Sequence, residues 1–506
     1  MKFFIMRFAI IAIALISAHA ASAQTLRVAV AAFPPTLGNP FTGASQPSAE
    51  LWWSIYDGLT RLNWSGGPEP ALALSWQNTS PTTWVFNLRP GVTYHNGKAF
   101  SAQDVVDILT LMKRSDMQGF LIPNELALVS GSRVIDDLTV EISTSEPDAI
   151  LPKRLATLMI IDPDLWDEIG VSGYTLAPVG TGPFRLTSFG RGNAMAMLEA
   201  NPKSWRAPKG LSAVEYRLVA DKTSRIQGLL SDQIDLVTGL HVDDVAVVEG
   251  EGLNVLVKAN PQVKSIALPN LLHGDGHPLH DVRVRRALNH AVDKDAIAKF
   301  IMFGFAEVAS QGVTAATTGF NENLAPFAYD PDKARALLAD AGYPNGFPLT
   351  VEVVTDSTTP DGLMYQKVAQ DIEAIGVRVT LRSIPFSDYN RKYTMSEWGD
   401  ADAFHLIWNN AAFQDPIRPI EYFSCLRARP FFCEPDLVPL IKQSSAEMDP
   451  DKRDLLLQDI MARLHDLAPA LWLTNAVYTT AYNDRIAQFD SRPTGIVFES
   501  LTLKDD

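Results

Sequence analysis

Residues 84–106 read WVFNLRPGVTYHNGKAFSAQDVV. Trp84, Phe86 and Leu88 alternate with Val85, Asn87 and Arg89, the two-residue period of a strand with one buried face. Pro90-Gly91 marks a turn, Val92-Thr93-Tyr94 a short second extended run, and Asn96-Gly97 a further turn. Ser101 offers an N-cap to a helix starting near Ala102, with Asp104 in its first turn. None of these residues has catalytic character, so the stretch reads as scaffold.

The chain around it has 506 residues, enough for two or three domains with their own cores. Hydrophobic residues make up 46% and charged residues 20%, ordinary for a soluble globular protein. A net charge of −15 argues against a nucleic-acid partner, which needs a basic patch. Residues 1–23 have the build of a cleavable secretory leader. Lys2 and Arg7 flank an apolar run over 8–16, and Ala21-Ser22-Ala23 is a small-residue cleavage site before Gln24. The leader has no cysteine, so a lipid-anchored form is not expected; the expectation is a protein free in the periplasm. The two cysteines, Cys425 and Cys433, read as a disulfide in that oxidising compartment.

Strands and helices then alternate. Strands are expected over 26–31, 233–237, 349–354 and 377–382, and helices over 49–59, 223–230, 332–341 (ending at Gly342 as a C-cap) and 364–375. VIDDLTVEI at 134–142 is a hairpin signal. In DVRVRRAL at 281–288, Val284, Ala287 and Leu288 share a helical face with Ala291, and the arginines read as a solvated or ion-paired face. Val179–Phe184, VGTGPF, lacks the helix N-terminus that phosphate cradling requires, and reads as a domain-crossing turn.

The stretch 84–106 closely resembles a signature of the family 5 extracellular solute-binding proteins, the peptide-, nickel- and opine-binding subunits of bacterial ABC importers. PEPALALSW at 68–76, VGTGPF at 179–184, DVRVRRAL at 281–288 and DPDKARALLADAGY at 330–343 resemble further motifs of that family. Gln233 stands where the family has a glycine. The resemblance implies an α/β fold of the periplasmic binding protein type II kind, in its large three-subdomain form, with two lobes joined by a hinge around a ligand cleft. Lobe I would comprise 24–63, 176–262 and 472–506, with 64–175 as an inserted subdomain, and lobe II 263–471. The partners implied are a small polar solute and an inner-membrane ABC permease, for a monomer with no cofactor.

In that family a ligand-reading loop follows a strand ending in tryptophan. Here the strand ends at Trp408, and the loop supplies Asn409, Asn410, Phe413, Gln414 and Asp415. Phe33, Ser45 and Gln46 would lie near the cleft mouth. The aspartate with which peptide binders hold an α-ammonium falls on Ala411 or Ala412, neither of them acidic. Amides between aromatics suit neutral polar groups, although Asn409-Asn410 also reads as a plain turn and Trp408 as core. A peptide-like or opine-like solute is expected, with an oligosaccharide or a nickel complex as alternatives. His273, His277 and His280, beside Asp275 and Asp281, read as a surface loop or, less simply, a metal site. Trp52-Trp53 read as core packing. The chain has no Gly-x-Ser-x-Gly elbow, His-Glu-x-x-His or phosphate loop, so an enzyme such as a periplasmic hydrolase is not expected.

Overall fold

Antiparallel pairing of two long strands, Asn254–Ala267 and Ala470–Tyr482, sits at the middle of a ten-stranded mixed sheet. The computed structural model describes residues 24–34, 36–43, 48–64, 66–190, 192, 194–354, 361–492 and 495–504. The leader read over 1–23 lies outside the described residues, as do Ser45 and Gln46. The sheet order is Arg378–Ser383, Pro348–Val353, Ala403–Asn409, Asn254–Ala267, Ala470–Tyr482, Leu236–Thr238, Gln24–Val30, Leu211–Leu218, Met195–Ala200, Phe184–Phe189.

Parallel strands lie on both sides of the central pair: Pro348–Val353 beside Ala403–Asn409, and Gln24–Val30 between Leu211–Leu218 and Leu236–Thr238. The register of the central pair slips between Asn260 and Val263, and again between Lys264 and Ser265. The first slip falls where the outer partners change. Before it Tyr482 pairs with Leu236, and after it Gln262 to Ala267 pair with Ala403–Asn409.

The stretch 84–106 builds a second sheet of four antiparallel strands, in the order Ala73–Ser80, Thr83–Leu88, Thr139–Thr144, Val129–Asp136. Trp84, Phe86 and Leu88 face its core while Val85 and Asn87 face out. Asp136-Asp137 turns the expected hairpin, with Asp136 opposite Thr139. The Asp104 carboxylate accepts from both the backbone N–H and the hydroxyl of Ser101, closing the N-terminus of helix Ala102–Leu111. His95 then docks this sheet on the large one, its N–H donating to the Gly180 carbonyl at 2.9 Å. Burial pushes the His95 imidazole down to about 4, so the ring is neutral at the junction.

The Gly-Thr-Gly turn is a point of close approach. Gly182 N–H donates to the Ile55 carbonyl at 2.9 Å, and a Cβ on Gly180 would lie 2.2 Å from that same oxygen. The helix expected over 49–59 is accordingly shorter, Ser48–Ile55. It stops where the buried Asp57 collects Thr181 Oγ1 at 2.7 Å, Trp205 Nε1 at 3.0 Å and Arg206 Nε at 2.5 Å. Trp52 and Trp53 are both core residues.

Helix Val282–Ala291 buries Val284, Ala287, Leu288 and Ala291, the face read from the sequence. Its arginines correct the reading of a solvated or ion-paired face. Arg283 is exposed and pairs with Asp281 at 2.5 Å, but Arg285 is buried and donates to the carbonyls of Leu279, His280 and Leu467. Arg286 donates to the Asp466 carbonyl. The two side chains thus satisfy carbonyls left over at the C-terminus of helix Pro450–Leu467, where the helix dipole favours a cation. Burial pushes the Arg285 guanidinium down to about 10, which leaves it charged at neutral pH.

Cys425 and Cys433 form the expected disulfide. Their loop carries Phe431 and Phe432 into the core, where Phe431 meets Phe423 and Phe404 edge-on at 5.1 and 5.2 Å. No helix among the described residues is long and apolar enough to cross a membrane.

Gly180→Ala drives a methyl group into the Ile55 carbonyl and is expected to cost about 1–3 kcal/mol, the usual range for overpacking. A urea denaturation midpoint equal to that of the wild type would contradict the close approach.

Candidate functional site

Strands Pro348–Val353 and Ala403–Asn409 run parallel, and ligand sites in α/β sheets form at the carboxyl ends of such strands. The loop that leaves the second strand, 410–416, is buried and polar. Asn410 donates to the Gly312 carbonyl at 2.9 Å, but its Oδ1 has no partner in the protein. Gln414 is fully buried at φ 50°, a left-handed conformation uncommon outside glycine, and neither atom of its amide group has a protein partner. Orphaned buried amides cost stability unless something else satisfies them. Trp408 Nε1, Trp472 Nε1 and, on the neighbouring crossing strand, Thr474 Oγ1 and Asn475 Oδ1 are likewise without partners.

Contacts from the other half of the molecule hold this loop. Lys153, in helix Leu151–Arg154, donates to the Gln414 carbonyl at 3.1 Å and to Asp415 at 3.2 Å. Gly66 presses against Gln414, where an added Cβ would lie 3.1 Å from the carbonyl oxygen. Arg154 sits 5.1 Å over the Phe413 ring, Arg418 pairs with Glu125 at 2.6 Å, and Ala149 N–H donates to the Ser445 carbonyl at 2.9 Å. Among these charges, burial pushes the Glu421 carboxyl up to about 7 despite the opposing pull of Arg154.

The residues singled out from the sequence take different positions. Trp408 is enclosed on both ring faces, by Phe423 stacked at 4.4 Å and by Gly312, whose Cβ would lie 2.0 Å from ring Cε3. Its indole N–H has no hydrogen-bond partner in the protein. Asn409 is half-buried and accepts from Gln262 and from the Ala411 N–H. Phe33 is half-buried against the core of the other half of the molecule, and Gln46 is outside the described residues. Asp415 is fully occupied: Arg453 grips it through both nitrogens at 2.7 and 2.8 Å, Lys153 adds a third contact, and Ile417 N–H a fourth. Burial alone would raise this carboxyl, but Arg453 and Lys153 outweigh it and hold the group well below the usual carboxylate range.

The histidine loop forms a compact cluster. His277 Nε2 lies 3.0 Å and His273 Nε2 3.2 Å from Asp402 Oδ1, while His280 Nε2 contacts the Leu272 carbonyl instead. These three groups are close enough to hold a metal ion. However, His277 Nδ1 accepts from the Leu279 N–H, which places the ring proton on Nε2, the atom a metal would need. The cluster is satisfied as a hydrogen-bonded start to the short helix Pro278–His280.

The sequence reading missed Glu50, in the first turn of helix Ser48–Ile55. It is 2% exposed, its Oε2 has no partner, and its Oε1 lies 3.5 Å from the Tyr478 hydroxyl. Burial pushes its carboxyl up to about 7, against the hydrogen bonds from Thr238 and Tyr478. The one signal available was a lone acid in the otherwise uncharged SAELWWSI. Nothing marked Lys153, Gly66 or Arg453.

Two outcomes follow from these carboxylates. Asp415→Asn leaves Arg453 buried without its counter-charge and is expected to cost about 3–5 kcal/mol in thermal or urea unfolding; the double change Asp415→Leu, Arg453→Met should recover part of that loss. Glu50 has its folded pKa raised, so the folded state holds the proton more tightly. Its contribution is intact below pH 4.5 and is lost as pH rises through about 7. Relative to Glu50→Gln, the wild type should therefore lose up to roughly 3 kcal/mol between those pH values. Tyr216, whose hydroxyl contacts the Glu50 carbonyl, and Tyr478 are the titratable side chains facing it. A stability difference that does not change with pH would contradict the buried carboxyl.

The chain is 28% identical over 357 residues to the glutathione-binding protein GsiB of Pectobacterium atrosepticum, a match covering 68% of this chain and 66% of that protein. It is 26% identical over 468 residues to heme-binding protein A of Haemophilus influenzae, covering 84% of this chain and 82% of that one. Among solved structures, the PBP AgaA of A. tumefaciens R10, in complex with agropinic acid, superposes with a TM-score of 0.81 at 20% identity, over 96% of this chain and 99% of that chain. The family model for bacterial extracellular solute-binding proteins, family 5, matches residues 67–428, and the chain belongs to that family.

Proposed function

We propose that this protein is the periplasmic receptor of an ABC importer, and that it captures a small polar organic solute, peptide-like or opine-like, for an inner-membrane permease. The observation that supports this reading best is the set of unpartnered amide atoms on Asn410 and Gln414, buried in a loop gripped from both halves of the molecule. A solute with its own donors and acceptors would satisfy them, and would favour the closed arrangement to the extent that it contacts both lobes. The name of the glutathione-binding relative and the agropinic acid complex agree with a compact polar organic cargo, whereas the relative named for heme takes a larger, more apolar one.

In this reading the hinge is the pair of crossing strands, where the register slips near Asn260 and Val263. Lobe I holds the strands on the Gln24–Val30 side together with the inserted subdomain, and lobe II those on the Ala403–Asn409 side. Asp415 serves as a tie between lobes rather than as a ligand contact, because its oxygens are already taken. The leader read at 1–23 and the Cys425–Cys433 disulfide both suit the periplasm. The protein works as a monomer and returns its solute unchanged.

Native mass spectrometry of the mature protein is expected to show an organic mass released on denaturation. Titration of that solute, or of glutathione, into Gln414→Ala should give an affinity about 10- to 100-fold weaker than the wild type, the range for losing one or two hydrogen bonds to a buried amide. Equal affinity in a folded variant would remove Gln414 from the site.

A further inference from the structure

We propose that Glu50 is a cation-reading subsite on the lobe I wall of the cleft, and that the captured solute carries an ammonium or guanidinium group that pairs with its carboxylate. This rests on the solute-receptor reading above.

The charge accounting of the core singles this residue out. Every other buried aspartate or glutamate among the described residues, from Asp57 to Asp415, has a lysine or arginine within ion-pair distance. For Glu50 no such ion pair exists among the described residues. Its contacts are the hydroxyls of Tyr478 and Thr238, and Oε2 has no partner. An unpaired carboxylate in a dry site is costly, whereas one that receives a cation there gains a strong charge-assisted bond.

The position suits a ligand. Thr238 ends strand Leu236–Thr238, and Tyr478 lies on the crossing strand just past Asn475, so Glu50 sits where the lobe I sheet meets the hinge pair. The Tyr478 ring lies 6.4 Å from Trp64, and Gly66, two residues on in sequence, abuts Gln414. The segment that carries Trp64 and Gly66 thus approaches both the Tyr478 neighbour of Glu50 and Gln414. The carboxyl held near neutral pH is consistent with a group whose counter-charge arrives with the cargo.

The test is a thermal-shift and titration panel of di- and tripeptides and amine conjugates, each beside its N-acetylated form, on the mature wild type, Glu50→Gln and Glu50→Asp. In the wild type, amine forms should stabilise the protein and bind at least tenfold more tightly than acetylated forms. Glu50→Gln should bind both forms alike, and Glu50→Asp should keep part of the preference, which shows that the variants fold. Stabilisation by acetylated forms alone, or a preference that survives in Glu50→Gln, overturns the cation subsite and leaves solute capture standing. No response to any member of the panel overturns the cation subsite, and with no organic mass released in native mass spectrometry it overturns solute capture as well.

Discussion

Backbone pairing between Asn254–Ala267 and Ala470–Tyr482 is the constraint on which the rest depends. These two strands belong to both halves of one sheet, so neither half completes its hydrogen-bond ladder without them. A continuous ladder would be stiff. The register slips near Asn260 and Lys264 interrupt it where the outer partners change, and a bulged strand bends more easily than a regular one. Gln414 and Asn410, with their unpartnered amide atoms, belong to the loop that follows strand Ala403–Asn409, the outer partner taken up after the slip.

Electrostatics then divides the interior into tasks. The buried carboxylates with partners are structural: Asp57 gathers three donors at the end of helix Ser48–Ile55, and Asp415 joins the Lys153 side of the molecule to helix Pro450–Leu467. Such pairs contribute less net stability than their distances suggest, because removing two ions from water offsets much of the attraction. What they supply is position. Lys153 and Arg453 hold Asp415, and Lys153 also holds the adjoining carbonyl of Gln414, whose backbone is left-handed.

Much of the fold was legible because its signals are local. The alternation in Thr83–Leu88, the Asp136-Asp137 turn and the apolar stripe of Val282–Ala291 depend only on neighbours in sequence. Arg285 was misread because its partner, the carbonyl end of helix Pro450–Leu467, comes from far along the chain. The same distance hid the state of loop 410–416. That loop 410–416 is rich in amides could be read directly, but whether Gln414 was satisfied or orphaned depends on Gly66 and Lys153. Trp408 shows the converse: the sequence left it open between a ligand-loop residue and core, and only the fold places Gly312 and Phe423 on its two faces.

The contact between Gly312 and Trp408 also limits how the site can vary. With the indole ring lying where any side chain at 312 would begin, that position admits nothing beyond hydrogen while tryptophan stays. A smaller residue at 408 would open room at 312, but it would strip Phe423 of its stacking partner and loosen the aromatic packing that the disulfide loop closes. Two positions far apart in sequence are therefore a single choice, fixed by one aromatic ring.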